Sequence, residues 1–146
     1  MRFLNTLPLL LGLALASPAF AGATPAHKAT LYKNPQCGCC EEHAKYLRQN
    51  GFEVKVVATH DLPLIKRQHG VPEGLEGCHT ILIGGYVVEG HVPANTLNKL
   101  LAERPAIKGV SLPGMPMGSP GMSGPKTEPF TIYGFGDEPT EVYAVE

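Results

Sequence analysis

The sequence predicts a single α/β domain, and three observations carry the prediction. Strand-prone apolar runs alternate along the chain with amphipathic stretches that have helix start and stop signals. Gly84-Gly85 lies between two apolar runs and reads as the two-residue turn of a β-hairpin. Once an N-terminal export segment is set aside, residues 22–146 remain, enough for one core and too few for two.

The elements follow in order. Residues 22–28 read as a flexible lead-in, Ala29 to Tyr32 as a short strand, and Lys33-Asn34-Pro35-Gln36 as a loop. Cys40 to Gln49 reads as a helix. Glu41 and Glu42 fall in its first turn and Lys45 and Arg48 later, a charge order that suits the helix dipole, and Asn50-Gly51 stops it. Ala44, Tyr46 and Leu47 give it a modest apolar stripe, and Phe52 to Ala58 follows as a strand with alternating Val54 and Val56. These make a β-α-β unit with a cysteine cluster at its strand-to-helix turn.

Asp61, as N-cap, and Pro63, in the first turn, open a second helix that runs to His69 and ends at Gly70. Glu73 to Gly77 is loop. Thr80 to Ile83 and Tyr86 to Glu89 are the hairpin strands, and Ala94 to Glu103 is a third helix with Leu97, Leu100 and Leu101 on one face. The order β-α-β-α-β-β-α is that of a thioredoxin-like domain, expected here over residues 29–110. Leu112 to Pro125 is too rich in Gly and Pro for helix or sheet. Beyond it Phe130 to Phe135 and Glu141 to Val145 predict a C-terminal β-hairpin, so that 111–146 is a Met-rich loop plus hairpin packed on the same domain.

The first residues address the chain rather than build it. Arg2, the apolar stretch Leu7 to Ala16, and Ala19-Phe20-Ala21 form a secretory signal peptide expected to be cut after Ala21. The apolar stretch is short of the roughly 20 residues a membrane span needs, so no membrane insertion is expected after cleavage, and the expected location is the periplasm. Net charge is −1 with Lys and Arg scattered, which argues against nucleic acid or an anionic membrane surface as partner.

The chemistry is concentrated in Cys37-Gly38-Cys39-Cys40, with Cys78 the only cysteine elsewhere. A structural disulfide framework would spread its cysteines; three thiols in a four-residue window suit a soft cation such as Cu(I) or Zn(II). Cys37 and Cys40 also make the C-x-x-C spacing of thiol-disulfide exchange. Helix-terminal N–H groups favour thiolate, and Gly38 is expected to let the sulfurs converge. Four cysteines allow three pairings; a bond between Cys39 and Cys40 would close a strained ring, so Cys37–Cys40 is the disulfide expected if one forms.

Cys78-His79 opens the hairpin strand, where thioredoxins usually carry a cis-proline that shields the active cysteines. Here two ligand-type side chains stand instead, and they are expected to close the site. Met115, Met117 and Met122 fall in the Gly/Pro-rich loop, either as thioether donors for Cu(I) or as apolar pins. His43, one turn into the first helix, is in a position to face the cluster. His60, His69 and His91 read as surface or loop residues, and His27 as a mobile extra ligand in the lead-in. No Ser/His/Asp arrangement, phosphate-binding glycine loop or paired-carboxylate pattern stands out.

Three motifs in order carry a resemblance: Tyr-Lys-x-Pro-x-Cys-Gly-Cys-Cys from Tyr32, Gly-Cys-His-Thr from Gly77, and Leu-Pro-Gly-Met-Pro-x-Gly-Ser-Pro-Gly-Met from Leu112. The chain resembles the CopG family of periplasmic copper-resistance proteins, over nearly all of its length after the signal segment. The resemblance implies a thioredoxin-like fold, a link to copper tolerance, and copper bound by Cys37, Cys39 and Cys40 with help from Cys78 and His79. It also implies a redox role, interconverting Cu(I) and Cu(II).

The expected function is therefore copper binding in resistance or homeostasis. Cu(I) would be held by clustered thiolates, with a multinuclear cluster within reach, and Cys37 and Cys40 would be the electron-carrying pair. Copper ions, copper-handling proteins and an electron donor are the expected partners. The alternative is a thiol-disulfide oxidoreductase acting on periplasmic proteins. A third reading is a structural zinc domain, whose fold would collapse on metal removal.

Overall fold

The computed structural model describes residues 26–146; the expected signal peptide and the start of the lead-in lie outside them. The elements are β1 (His27–Lys33), α1 (Gly38–Gln49), β2 (Phe52–Ala58), α2 (Leu62–Gln68), β3 (His79–Ile83), β4 (Tyr86–Gly90), α3 (Ala94–Glu103), β5 (Gly109–Leu112), β6 (Thr131–Phe135) and β7 (Glu141–Val145). The expected α/β architecture is present as one mixed sheet and three helices. All seven strands join in the order β2-β1-β3-β4-β5-β6-β7. β1 runs parallel to β2 and antiparallel to β3, and β3 and β4 form the hairpin expected from Gly84-Gly85, with Ile83 opposite Tyr86 and Thr80 opposite Glu89.

Two elements differ from expectation. β1 begins at His27, so that residue is an exposed strand position 6.2 Å from the Phe52 ring rather than a mobile ligand. β5 is a strand that the sequence did not suggest. It runs parallel to β4 and antiparallel to β6, which makes the C-terminal hairpin a continuation of the sheet. All four of its residues are buried, so it lacks the polar alternation that signals a strand. Gly109 is needed there: a Cβ would run into the Val87 carbonyl oxygen and the Phe135 ring.

The core lies between the sheet and the helices. Leu31, Ile81, Val88, Val110 and Ile132 from the strands meet Leu47 from α1 and Leu97 and Leu100 from α3, all of them fully buried. Each such side chain contributes about 1.5–3 kcal/mol through burial. α1 ends as expected: Asn50 donates through Nδ2 to the Tyr46 carbonyl at 2.8 Å, and Gly51 turns away at φ 89°. α2 buries Leu62 and, less usually, Lys66. Among the described residues no helix is long and apolar enough to cross a membrane.

Candidate metal centre

A turn at the end of β1 sets the cysteines. The Gln36 N–H donates to Asn34 Oδ1 at 3.1 Å, and the Cys37 N–H to the Asn34 carbonyl at 3.0 Å, which leaves Cys37 as the N-cap of α1. Lys33 pins the turn from below, 3.3 Å from the Pro35 carbonyl and 3.0 Å from Glu41. Gly38 does not serve as expected. It is the first residue of α1, and a Cβ there would meet nothing within 4 Å.

Cys37 and Cys40 are joined as a disulfide, Cα to Cα 5.5 Å, and Cys39 and Cys78 are free thiols. Cys39 Sγ lies 3.5 Å from Cys37 Sγ and 4.0 Å from Cys78 Sγ, and Cys78 Sγ lies 3.7 Å from Cys40 Sγ. The four sulfurs all fall within 4.8 Å of one another, although 38 residues separate Cys40 from Cys78. Cys40 is buried; the other three are half-buried.

Cys78 reaches this position because the loop before β3 passes close against β4. A Cβ on Gly77 would strike the backbone of Gly90, so the approach requires glycine. The Gly77 N–H donates to Glu89 Oε2 at 2.8 Å; the same oxygen receives Lys66 Nζ at 2.5 Å, and Thr80 Oγ1 donates to Glu89 Oε1 at 2.5 Å. Burial pushes the Glu89 carboxyl up, against the opposing pull of Lys66. This buried network fixes the backbone on both sides of Cys78-His79.

Three histidines complete the centre. His79 Nδ1 is 3.2 Å from Cys78 Sγ, and His91 Nε2 approaches the same sulfur at 3.1 Å. His43 Nδ1 is 2.8 Å from His79 Nε2. All three rings are fully buried and pack with centroids 4.9–5.0 Å apart. Burial lowers the pKa of each. His43 falls to about 3, helped by His91 and opposed by the Val92 carbonyl. His79 is lowered by burial, His43, His91 and Lys66, against the Gly90 carbonyl, and His91 by burial against the Pro120 carbonyl. All three are neutral at pH 7. Burial, followed by the neighbouring Cys39, pushes the Cys78 thiol up to about 12.

The site gathers Cys37, Cys39, Cys40, Cys78 and His79. It also holds His91, which sequence reasoning placed on the surface, and His43, which does face the centre. His60 is exposed and His69 half-buried, and neither belongs to the cluster. Met115 and Met117 are exposed and Met122 half-buried. Their loop rests on the centre through its backbone: the Pro120 carbonyl accepts from His91 Nδ1 at 2.6 Å. A Cβ on Gly121 would lie 2.6 Å from the His43 backbone nitrogen and 2.9 Å from the Cys39 carbonyl oxygen.

Thiols, a disulfide and neutral imidazoles, with no carboxylate among the candidate ligand groups, form a donor set for a soft or borderline metal ion and for thiol redox chemistry. A family model described as a protein of unknown function, DUF411, matches residues 75–122, the stretch that holds Cys78, His79, His91 and the methionine loop. Two solved structures are similar to the chain, titled as forms 2 and 1 of copper resistance protein CopG. They share 36% and 37% identity with it over 83% and 84% of this chain and 98% of each of theirs, both at a TM-score of 0.77. No curated protein matches.

Proposed function

The chain belongs to the CopG family of copper-resistance proteins, and on that premise we propose that it is an exported copper-binding protein that holds Cu(I) through Cys37, Cys39, Cys40 and Cys78, with His79 closing the site. The observation that carries this reading is the convergence of four sulfurs within 4.8 Å. Thiolate is the preferred donor for Cu(I), and several bridging sulfurs at this spacing suit a multinuclear cluster. Cys37 and Cys40 supply electrons. Two thiolates close to one disulfide and release two electrons, which reduce two Cu(II) to two Cu(I); a dithiol reductant reopens the bridge.

Exchange of disulfides with other proteins is the second reading, and the Cys37–Cys40 bridge at a helix N-terminus favours it. Against it, Cys40 is fully buried and Cys78 sits 3.7 Å from its sulfur.

The test is an anaerobic Cu(I) titration of the reduced mature chain against a competing chelator, beside a Cys37/Cys39/Cys40→Ser variant. Tight binding lost in the variant is expected. Equal binding by both, together with rapid reduction of insulin disulfides, would put exchange first.

A further inference from the structure

The loop between β5 and β6 carries Met115, Met117 and Met122, the only methionines after the first residue, and neither the fold nor the cysteine centre accounts for them. Apolar pins would be buried. Met117 is instead 57% exposed and Met115 41%. The loop is fastened by polar groups. Ser119 is buried and its Oγ donates to the Pro116 carbonyl at 2.6 Å, the Met122 N–H donates to the Ser119 carbonyl at 2.8 Å, and the Gly118 N–H to the Ser123 carbonyl at 3.2 Å. The two exposed methionine side chains take no part in that fastening.

Backbone preference does not call for them either. Met115 sits at φ 46°, in the left-handed region that favours glycine, beside Gly114 at φ 79°. A long thioether is thus held out into solvent where a residue without a side chain would sit at less conformational cost. Met117 Sδ lies over the following turn, where a Cβ on Gly124 would come within 2.5 Å of it. The bare backbone at Gly124 leaves the space in which this sulfur rests.

The composition of the loop says which ion these sulfurs suit. From Leu112 to Pro125 there is no Cys, His, Asp, Glu, Lys or Arg, so thioether is the only soft donor among its side chains. Thioether sulfur binds Cu(I), whereas Zn(II) takes thiolate, imidazole and carboxylate. It carries no charge, so it holds a cation weakly and gives it up readily to thiolate. It also forms no disulfide, and remains available whether Cys37–Cys40 is open or closed.

The inner end of the same loop touches the centre. Gly121 packs on the Cys39 carbonyl and the His43 backbone nitrogen, and Met122, next in sequence, is half-buried. We propose that Met115 and Met117 form a weak capture site for Cu(I), separate from the cysteine centre, from which the ion passes by way of Met122 to the thiolates on which the loop rests. The inference rests on the copper reading of the cysteine centre and adds the route by which the ion reaches it. The transfer is ligand exchange: a copper–thioether bond breaks as a copper–thiolate bond forms, the metal stays Cu(I), and no electron moves.

The test uses the mature chain, reduced and anaerobic, with its methionine methyl groups isotope-labelled for NMR. The Met115 and Met117 methyl signals should shift when Cu(I) is added beyond the amount that fills the cysteine centre, and Zn(II) should leave them in place. In stopped-flow loading from a Cu(I)–chelator complex, Met115→Leu/Met117→Leu should slow filling of the centre about tenfold, the low end of the range over which association rates differ among variants of one site. Its equilibrium affinity should be unchanged. Leucine keeps the apolar bulk and drops the sulfur at two exposed positions, and the methyl signals need no variant. Unshifted methyls in excess Cu(I), or loading as fast in the variant as in the native chain, would overturn the proposal, while a centre that still fills leaves the copper reading standing. A matching fall in equilibrium affinity would make the thioethers ligands of the centre itself and overturn the separate capture site. A chain that binds no Cu(I) at all would remove both readings.

Discussion

Cys78, just before β3, and His91, just after β4, face each other with Sγ to Nε2 at 3.1 Å. The sulfur that closes the cysteine cluster thus also faces the buried histidines. Cys78 is therefore the position common to both halves of the centre. Cys78→Ser should lower the Cu(I) affinity of the reduced chain at least tenfold, measured by chelator competition. An unchanged affinity would place Cys78 outside the copper-binding set.

The Lys66–Glu89 pair is almost completely buried and carries Gly77 and Thr80 with it. Glu89→Ala strands an ammonium in the interior and should cost about 3–5 kcal/mol in urea unfolding. Lys66→Met/Glu89→Leu removes both charges and should recover most of that loss. A double variant as unstable as the single would place the effect in the lost hydrogen bonds to Gly77 and Thr80.

Gly121 turns at φ 86° with its Cα against α1. Gly121→Ala combines a left-handed backbone with a clash at the His43 backbone nitrogen, and should destabilise by about 1–3 kcal/mol. It should also loosen the His91–Pro120 hydrogen bond, visible as faster exchange of the His91 Nδ1 proton. Gly124→Ala has the same φ, but its Cβ meets the flexible Met117 side chain. It should cost less and leave His91 unchanged.

The neutral histidines make the metal-free protein acid-sensitive. His43 has a folded pKa of about 3 against an ordinary 6.5. Its contribution is fully present above pH 6.5 and is lost as pH falls from 6.5 toward 3, on the order of 4 kcal/mol at the extreme. His79 and His91 are lowered as well and act in the same direction. Melting temperature of the metal-free chain should fall steadily below pH 6.5, and His43→Phe should flatten that slope. A slope unchanged by His43→Phe would assign it to other groups.

Leu47 is fully buried between α1 and the sheet. Leu47→Ala should cost about 2–5 kcal/mol, read by urea denaturation. A smaller cost would mean that the helix settles into the space left behind.

Much of this arrangement is legible in the sequence, for local reasons. The helix over Cys40–Gln49 follows from charge order and the Asn50-Gly51 stop, and the hairpin follows from Gly84-Gly85. The cysteine cluster is contiguous, and Cys78-His79 lies at a strand entrance that the fold brings beside it. His91 was missed because the β3–β4 ladder ends at Thr80–Glu89 and Gly90 turns at φ 73°, so its approach to Cys78 is set by backbone that no local pattern announces. Taken alone, it looked like a loop histidine after a glycine. β5 was missed for a different reason, since a four-residue strand buried along its whole length has no alternation to read. The contact of Pro120 and Gly121 with the centre is made by backbone, and side-chain chemistry gives no notice of it.

The spread of the candidate ligands along the chain has a consequence for metal and folding together. Cys37, Cys39 and Cys40 are neighbours and can chelate copper before any tertiary structure exists, whereas Cys78, His79 and His91 meet them only when distant strands have paired. An ion that binds native and unfolded chains alike adds little stability; only its preference for the native form counts. Copper should therefore raise the melting temperature by less than its affinity for the folded protein implies, and the candidate ligands beyond residue 77 should carry the share that does.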